Sequence, residues 1–490
     1  LLGLPQSSSV RFGDSNTYFR GAVYNTYVSD DWRVRSNLTL NFGVRYEYFT
    51  PYTEKYGRIA NLDIAPNFTG VAVVTPGGAG PYTGRFPDGL IDAAKNNWSP
   101  RVGIAWRPFK QRQLLIRTGY GIFYNGSIYS QFASRLASQP PFANTATLNT
   151  SLAAVLTLEN GFPAAPSTQI TNTYAVARNY QPGYAQTWNF SIQQELPHAI
   201  IVELGYLGTK GTHLDIQRLP NRAAPGSPLT AEQRRQIGNA VGFLYDSSEG
   251  NSIYNALQAR MIRRFRGGIS MNALYTYSKS IDNASTFGGA GALVAQNDKD
   301  LAAERGLSSF DQRHRLNLNF VLSSPVGPNA RFLRGGGTAA KLLQDWTLSG
   351  GITAASGTPL TARVLGNQAD TGGTGSFGSG RAEATGEPVN ADGGYFNLAA
   401  FTLPPPGQFG NAGRNTIPGP SQYSLNLAIG RTIQLGAETR RRLELRLESQ
   451  NVTNHVNITN LGTVVNASNY GLPTAAGSMR SLNAVMRFRF

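Results

Sequence analysis

The chain has 490 residues and a mass of 52.8 kDa, with 44 Lys and Arg against 28 Asp and Glu (net +16) and no cysteine. The missing cysteine excludes disulfide scaffolds, thiolate-held zinc, iron–sulfur clusters and a cysteine nucleophile. Only 15% of residues are charged, yet 40% are hydrophobic, with 22 Tyr and 24 Phe, so neither disorder nor an ordinary soluble surface fits.

The chain opens Leu1-Leu2-Gly3-Leu4-Pro5, without Met, basic region or sustained apolar stretch, so these residues are not a secretion signal and read as internal to a longer chain. Beyond them, thirteen strands are expected near 18–32, 38–49, 98–106, 114–124, 184–195, 200–208, 254–264, 269–278, 314–323, 345–356, 422–433, 442–450 and 480–490. The signal is strict alternation. In Leu38, Leu40, Phe42, Val44, Tyr46 and Tyr48 every second residue is apolar, with Thr39, Asn41, Gly43, Arg45 and Glu47 between them. The same period returns at Leu316–Phe320, Tyr423–Ile429 and Leu443–Leu447. It closes the chain at Leu482, Ala484, Met486, Phe488 and Phe490, where Val485 is the one apolar residue on the polar side. No run approaches the roughly 18 apolar residues of a membrane-spanning helix.

Two architectures present one apolar and one polar face. A soluble sandwich turns the apolar face inward. A membrane barrel turns it outward to lipid. The segments run near the 9–11 or so residues of a tilted spanning strand rather than the usual 5–6. Tyr46, Tyr48, Tyr120, Tyr124, Tyr275 and Tyr277 lie toward strand ends, where interfacial girdles sit. Connections also alternate. Short links are expected at 33–37, 107–113, 196–199, 265–268 and 434–441, with a medium one at 324–344. Long ones are expected at 50–97, 125–183, 209–253, 279–313, 357–421 and 451–479. Short periplasmic turns and long extracellular loops are the habit of outer-membrane barrels. The expected class is an all-β, antiparallel transmembrane β-barrel. Its odd strand count implies an odd number of further strands upstream, since single-chain bacterial barrels are even.

Several stretches then resemble a known family. They are Asn96-Asn97-Trp98-Ser99-Pro100-Arg101-Val102-Gly103, Phe310-Asp311-Gln312-Arg313-His314-Arg315, and Asp345-Trp346-Thr347-Leu348-Ser349-Gly350 with Ser356-Gly357-Thr358-Pro359. Further on come Phe409-Gly410-Asn411-Ala412-Gly413-Arg414-Asn415 and Asn451-Val452-Thr453-Asn454-His455. In this order they resemble the C-terminal part of the barrel of TonB-dependent outer-membrane receptors, specifically the Oar-like group. The resemblance implies about 13 of 22 strands in residues 1–490, with the plug, the remaining strands and the TonB-contacting segment outside this chain. It implies energised uptake of a solute such as a ferric siderophore, cobalamin, saccharide or peptide. The aromatic terminus Phe490, with Phe488 and Met486, matches the signal read by the barrel assembly machinery. Expected partners are outer-membrane lipid, that machinery, TonB and an unidentified solute.

The residues show no enzyme motif. His198, His213, His314 and His455 form no His-x-x-x-His pair and have no carboxylates at metal-ligand spacing. Gly373-Thr-Gly375-Ser-Phe-Gly378 matches a dinucleotide pattern but has neither the feeding strand nor the following helix. Arg334-Gly-Gly-Gly-Thr-Ala-Ala-Lys341 lacks the Gly and Ser/Thr that flank a phosphate-loop lysine. No cofactor or metal is expected. The positive charge is dispersed and has no aromatic–basic stacking module, so nucleic acid is not an expected partner. Arg45, Glu47, Arg117, Arg446 and Arg487 are candidates to face an aqueous lumen, where Arg would concentrate anionic solutes. The favoured bland alternative is that Glu47, Glu444 and Glu448 neutralise these Arg in cross-strand pairs. Two other functions share the pattern: a structural or adhesive barrel, and a secreted soluble all-β binding protein.

Overall fold

The computed structural model describes residues 7–13, 16–109, 113–149, 156–159, 170–226, 233–283, 295–327, 330–366, 368–369, 380–390, 393–435 and 441–490. Among them, thirteen strands form one antiparallel meander in which each strand pairs with its sequence neighbours. They are β1 (Val23–Arg35), β2 (Leu38–Phe49), β3 (Trp98–Trp106), β4 (Leu114–Tyr124), β5 (Tyr184–Leu196), β6 (Ile200–Arg218) and β7 (Leu244–Arg266). Then follow β8 (Ile269–Asp282), β9 (His314–Ser323), β10 (Trp346–Ala355), β11 (Gln422–Gln434), β12 (Arg442–Gln450) and β13 (Ser481–Arg489). Two short segments, Tyr174–Val176 and Gly306–Leu307, join the upper margin beside β7 and β8. Among the described residues, the outer edges of β1 and β13 pair with nothing.

The register sorts side chains into two uniform faces. Leu40, Ile104, Thr118, Phe190, Tyr206, Leu257 and Tyr277 are successive partners across seven strands. The row Gln193, Glu203, Arg260, Leu274, Asn317, Thr353 and Ser424 lies on the opposite face. A side-chain period of 2 makes this inevitable once hairpin turns fix the register. Among the described residues nothing covers the apolar face: Phe42 is 46% exposed, Val102 49%, Leu257 54% and Leu447 48%. A sandwich would bury these residues between sheets. The dry cores lie instead in the long loops. One joins Phe49, Ile59, Phe86, Leu90, Tyr129, Phe132, Leu136 and Tyr180; a second joins Phe396, Phe401, Ile417 and Leu461.

The short links share one end of the sheet. Gly267 and Gly268, with φ of 62° and 81°, make the two-residue hairpin between β7 and β8, a turn that demands positive φ at both central positions. The link Pro197–Ala199 places His198 and Ala199 in the same left-handed region.

Three boundaries differ from the sequence expectation. Residues 18–22 are not part of β1; Phe19–Arg20 pairs with Thr53–Glu54 in the loop layer. The expected loop 209–253 is shorter, because β6 and β7 run on to Arg218 and back from Leu244. Register shifts at Gly211/Leu214 and Leu214/Ile216, with His213 at φ 54°, kink the pair where it leaves the level of its neighbours. Finally, α1 (Ile128–Leu136) sits in an expected loop. Its Tyr129, Phe132, Ala133 and Leu136 are spaced i, i+3, i+4, i+7 and all are buried, the stripe that marks a helix docked on a core.

Candidate functional site

Two surfaces carry the polar chemistry: the polar face of the sheet and the loop layer above its long-loop end. On the sheet, Arg45 pairs with Glu47 at 2.9 Å and Arg446 with Glu448 at 2.6 Å, each between positions i and i+2 of one strand. Arg117 donates to Gln193 Oε1 at 3.5 Å. Arg487 and Arg489 reach Glu444 across β12 and β13 at 3.8 and 3.3 Å, and Arg442 joins them from Glu444's own strand at 3.4 Å. The expected cross-strand neutralisation is therefore found at Glu444, whereas Glu47 and Glu448 bind Arg of their own strand. Alternation puts residues i and i+2 on the same face about 6.5–7 Å apart, within reach of a long guanidinium. Arg101 lies over the Phe123 ring at 4.6 Å on the same face.

Met486 and Phe488 lie on the apolar face opposite Leu445 and Leu443. Phe488 stacks on Phe490 with ring centroids 6.0 Å apart. The Gly373–Gly378 pattern lies outside the described residues.

The stretches that carry the family resemblance are clamps between loops and strand ends. Asn97 Nδ2 donates to the Glu47 carbonyl at 3.0 Å. Asp311 Oδ1 accepts from Ser280 N at 2.6 Å. Asn415 Nδ2 donates to the Leu307 carbonyl at 2.6 Å and its backbone N donates to Thr361 Oγ1. Arg414, almost fully buried, binds both the carboxylate and the carbonyl of Asp282. Asn451 Nδ2 spans to the carbonyls of His455 and Ser478. Together these bonds satisfy backbone groups where the strands give way to loops.

Sequence reasoning did not find the buried polar junction where α1, residues 174–180 and the β6/β7 extension meet. Tyr174 donates to Asp246 Oδ2 at 2.5 Å, and Tyr180 donates to Asp215 Oδ1 at 3.3 Å. Arg135 of α1 lies 3.6 Å from Asp246 and over the Tyr174 ring at 5.0 Å. Burial, reinforced by the neighbouring Asp246 charge, pushes the Asp215 carboxyl up to about 7. Burial also raises Asp246, against the hydrogen bond from Tyr174 and the charge of Arg135. Two more buried pairs, Arg218–Asp298 at 2.8 Å and Arg381–Glu304 at 3.0 Å, tie distant loops together. Their partners lie 80 and 77 positions apart, a spacing no local pattern shows. The helix α1 did leave a signal, its 3.6-residue apolar stripe.

The loop layer carries a half-open pocket of about 430 Å³ lined by Asp63, Thr83, Phe86, Arg178, Asn179 and Tyr245. Asp63 is spoken for, accepting from Tyr82 N, Thr83 N and Thr83 Oγ1. Arg178 pairs with Asp92 at 3.1 Å and lies over Phe86. A second hollow of about 280 Å³ opens at the upper ends of β10–β13 among Gln422, Tyr423, Asn426, Asn451 and Asn457. Among the described residues no group of three or more His, Asp or Glu is arranged to hold a metal.

Among solved structures, the chain is similar to the outer membrane transporter YddB from Escherichia coli, with 11% identity and a TM-score of 0.47 over 96% of this chain and 53% of that one. It is similar to the ferripyoverdine receptor of the Pseudomonas aeruginosa outer membrane (12%, 0.44, covering 97% and 39%). It is also similar to the siderophore receptor PiuA from Acinetobacter baumannii (12%, 0.45, covering 96% and 44%). The chain thus spans about half the length of these proteins or less. No curated relative matches the sequence. The family model described as "Outer membrane beta barrel domain" matches residues 1–483. With its apolar face open to the surroundings and its cores confined to the loops, the chain belongs to this family of outer-membrane β-barrel domains.

Proposed function

We propose that the protein is the barrel of a TonB-dependent receptor of the Oar-like group, which takes up a large or scarce solute through the outer membrane without chemical conversion. The observation that carries this reading is the packed, ion-paired loop layer at the long-loop end of a sheet with one polar face. A purely structural wall has no need of a polar face this rich in Asn, Ser, Thr and Arg, nor of a pocket-bearing cap at its long-loop end. The unpaired edges of β1 and β13 support the further part of the reading. A membrane tolerates no open sheet edge, so additional strands complete the wall, and the plug and TonB-contacting segment accompany them. The exposed terminal Phe490 fits a role as the assembly signal.

The test is uptake by cells that carry or lack the full-length gene, using labelled ferric siderophores, cobalamin, maltodextrins and peptides in parallel. One class should accumulate only with the protein present, and only while the proton gradient that drives TonB is maintained. Unchanged uptake of every class, with loss of surface adhesion, would replace transport with the adhesive function.

A further inference from the structure

We propose that the link between β9 and β10 is a membrane-surface finger that docks on phosphate-bearing glycerophospholipid headgroups of the periplasmic leaflet. The link leaves β9 after Ser323 and returns at Trp346, carrying the helix α2 (Thr338–Leu343). Four of its apolar side chains are open to the surroundings: Leu342 at 61%, Leu343 at 53%, Phe332 at 52% and Leu333 at 45%. Arg331, Arg334 and Lys341 are exposed beside them, and Asp345 is the one carboxylate between Ser324 and Asp345. In water this arrangement leaves apolar surface uncovered for no return. At a headgroup boundary both halves are satisfied, the apolar chains entering the acyl region and the cations meeting phosphate.

The position of the finger decides which surface it meets. Trp346 and Arg431 are register partners, and Arg431 also opposes Leu445, so both lie on the lipid-facing side. Trp346 Nε1 donates to the Leu342 carbonyl at 2.8 Å, and the Arg431 guanidinium donates to the Lys341 carbonyl. Ser324 Oγ donates to the Leu343 carbonyl at 2.5 Å. Three bonds therefore pin α2 to the outside rim of the sheet at its short-turn end, continuous with the apolar band. The same pairing of cation and exposed ring recurs at the short-turn end of β7, Arg264-Phe265-Arg266, where Phe265 is 62% exposed.

These 490 residues contain no cysteine, so one introduced among them is the single label once any cysteine elsewhere in the full-length protein is replaced. The full-length protein carrying Leu342→Cys, labelled with an environment-sensitive dye, is placed in phosphatidylcholine vesicles with and without phosphatidylglycerol. Leu365→Cys, on an exposed residue of the long loop after β10, is the control. The label at position 342 should be quenched by a nitroxide lipid and shielded from iodide, the control the reverse, and phosphatidylglycerol should strengthen the contrast. Replacing Arg331, Arg334 and Lys341 by Gln should weaken the phosphatidylglycerol effect by about fivefold per charge at low salt. Equal iodide access at both labels overturns the proposal. So does insertion indifferent to phosphatidylglycerol, or energy transfer between labels at 342, which would mark a second copy as the occupant. The singly labelled protein decides these points even if the triple variant does not fold.

Discussion

Leu445 and Arg446 are neighbours with opposite duties. Leu445 faces lipid opposite Met486, while Arg446 faces the polar side and pairs with Glu448 in an exposed setting. Leu427→Arg, on the same apolar face but four residues further into the band than Arg431, the rim partner of Leu445, should cost about 2–4 kcal/mol of folding stability. Arg446→Gln removes only an exposed ion pair, for which about 0–1 kcal/mol is the usual scale. Urea unfolding of both variants in detergent or vesicles checks this, and equal costs would contradict the facing. The junction at Asp215 predicts a pH dependence in the loop layer, above the membrane. The groups facing it are Asp246, Tyr174, Tyr180 and Arg135. Its folded value of about 7 lies above the unfolded 3.8, so its stabilising contribution is complete below the latter. That contribution falls away as pH rises toward and through 7. Amide exchange in α1 should quicken across that window, and Asp215→Asn should flatten the profile. An unchanged profile in that variant would assign the titration elsewhere.

At the scale of elements, the membrane strands were legible because period 2 over nine or more residues is a strong local pattern. The loop layer was not, because its order comes from pairings such as Asn415 with Leu307, 108 positions away. The quoted motif residues were visible as a resemblance, but their work as backbone clamps depends on partners the sequence does not show. The same limit applied to β6 and β7, whose upper halves carry Asp215, Ile216, Tyr245 and Asp246 into the loop core and so lose clean alternation. Asn415 gives a test. It is 5% exposed, holds φ at 58° and is bonded to Leu307 and Thr361. Asn415→Ala loses those bonds and strains the backbone, at about 1–3 kcal/mol for the unmet partners alone. Asn415→Gly restores the conformation but not the bonds. Both should raise amide exchange in 357–421 while β11 and β12 keep their protection. Loss of protection throughout the sheet would mean that cap and wall unfold as one unit.

At the scale of the whole molecule, the decisive feature is the pair of edges that pair with nothing among the described residues. Strands β1 and β13 are separated by twelve alternating steps, so they run in the same direction. Closing these thirteen strands on themselves would require a parallel seam in an otherwise antiparallel wall. An edge left open in hydrocarbon exposes unmet backbone groups, each costing several kcal/mol. A wall completed by further strands satisfies both edges with the antiparallel pairing used everywhere else. The two arrangements separate in a cross-linking experiment, since the introduced cysteines meet none native to these 490 residues. Val28→Cys on β1 and Ala484→Cys on β13 share the apolar face, since Val28 opposes Val44 and Ala484 opposes Leu447. In a barrel of these strands alone, cysteines scanned along β1 against position 484 would find a registered partner and oxidise efficiently within one molecule. In the completed wall no register along β1 gives an intramolecular disulfide in the full-length protein, because intervening strands hold the two edges beyond the 7 Å or so that a disulfide spans between Cα atoms. The 490-residue segment on its own should instead link between copies through its free edges, as unprotected strand edges do. An intramolecular bond that forms in the full-length protein at one register of the scan would establish the thirteen-strand seam and remove the need for further strands.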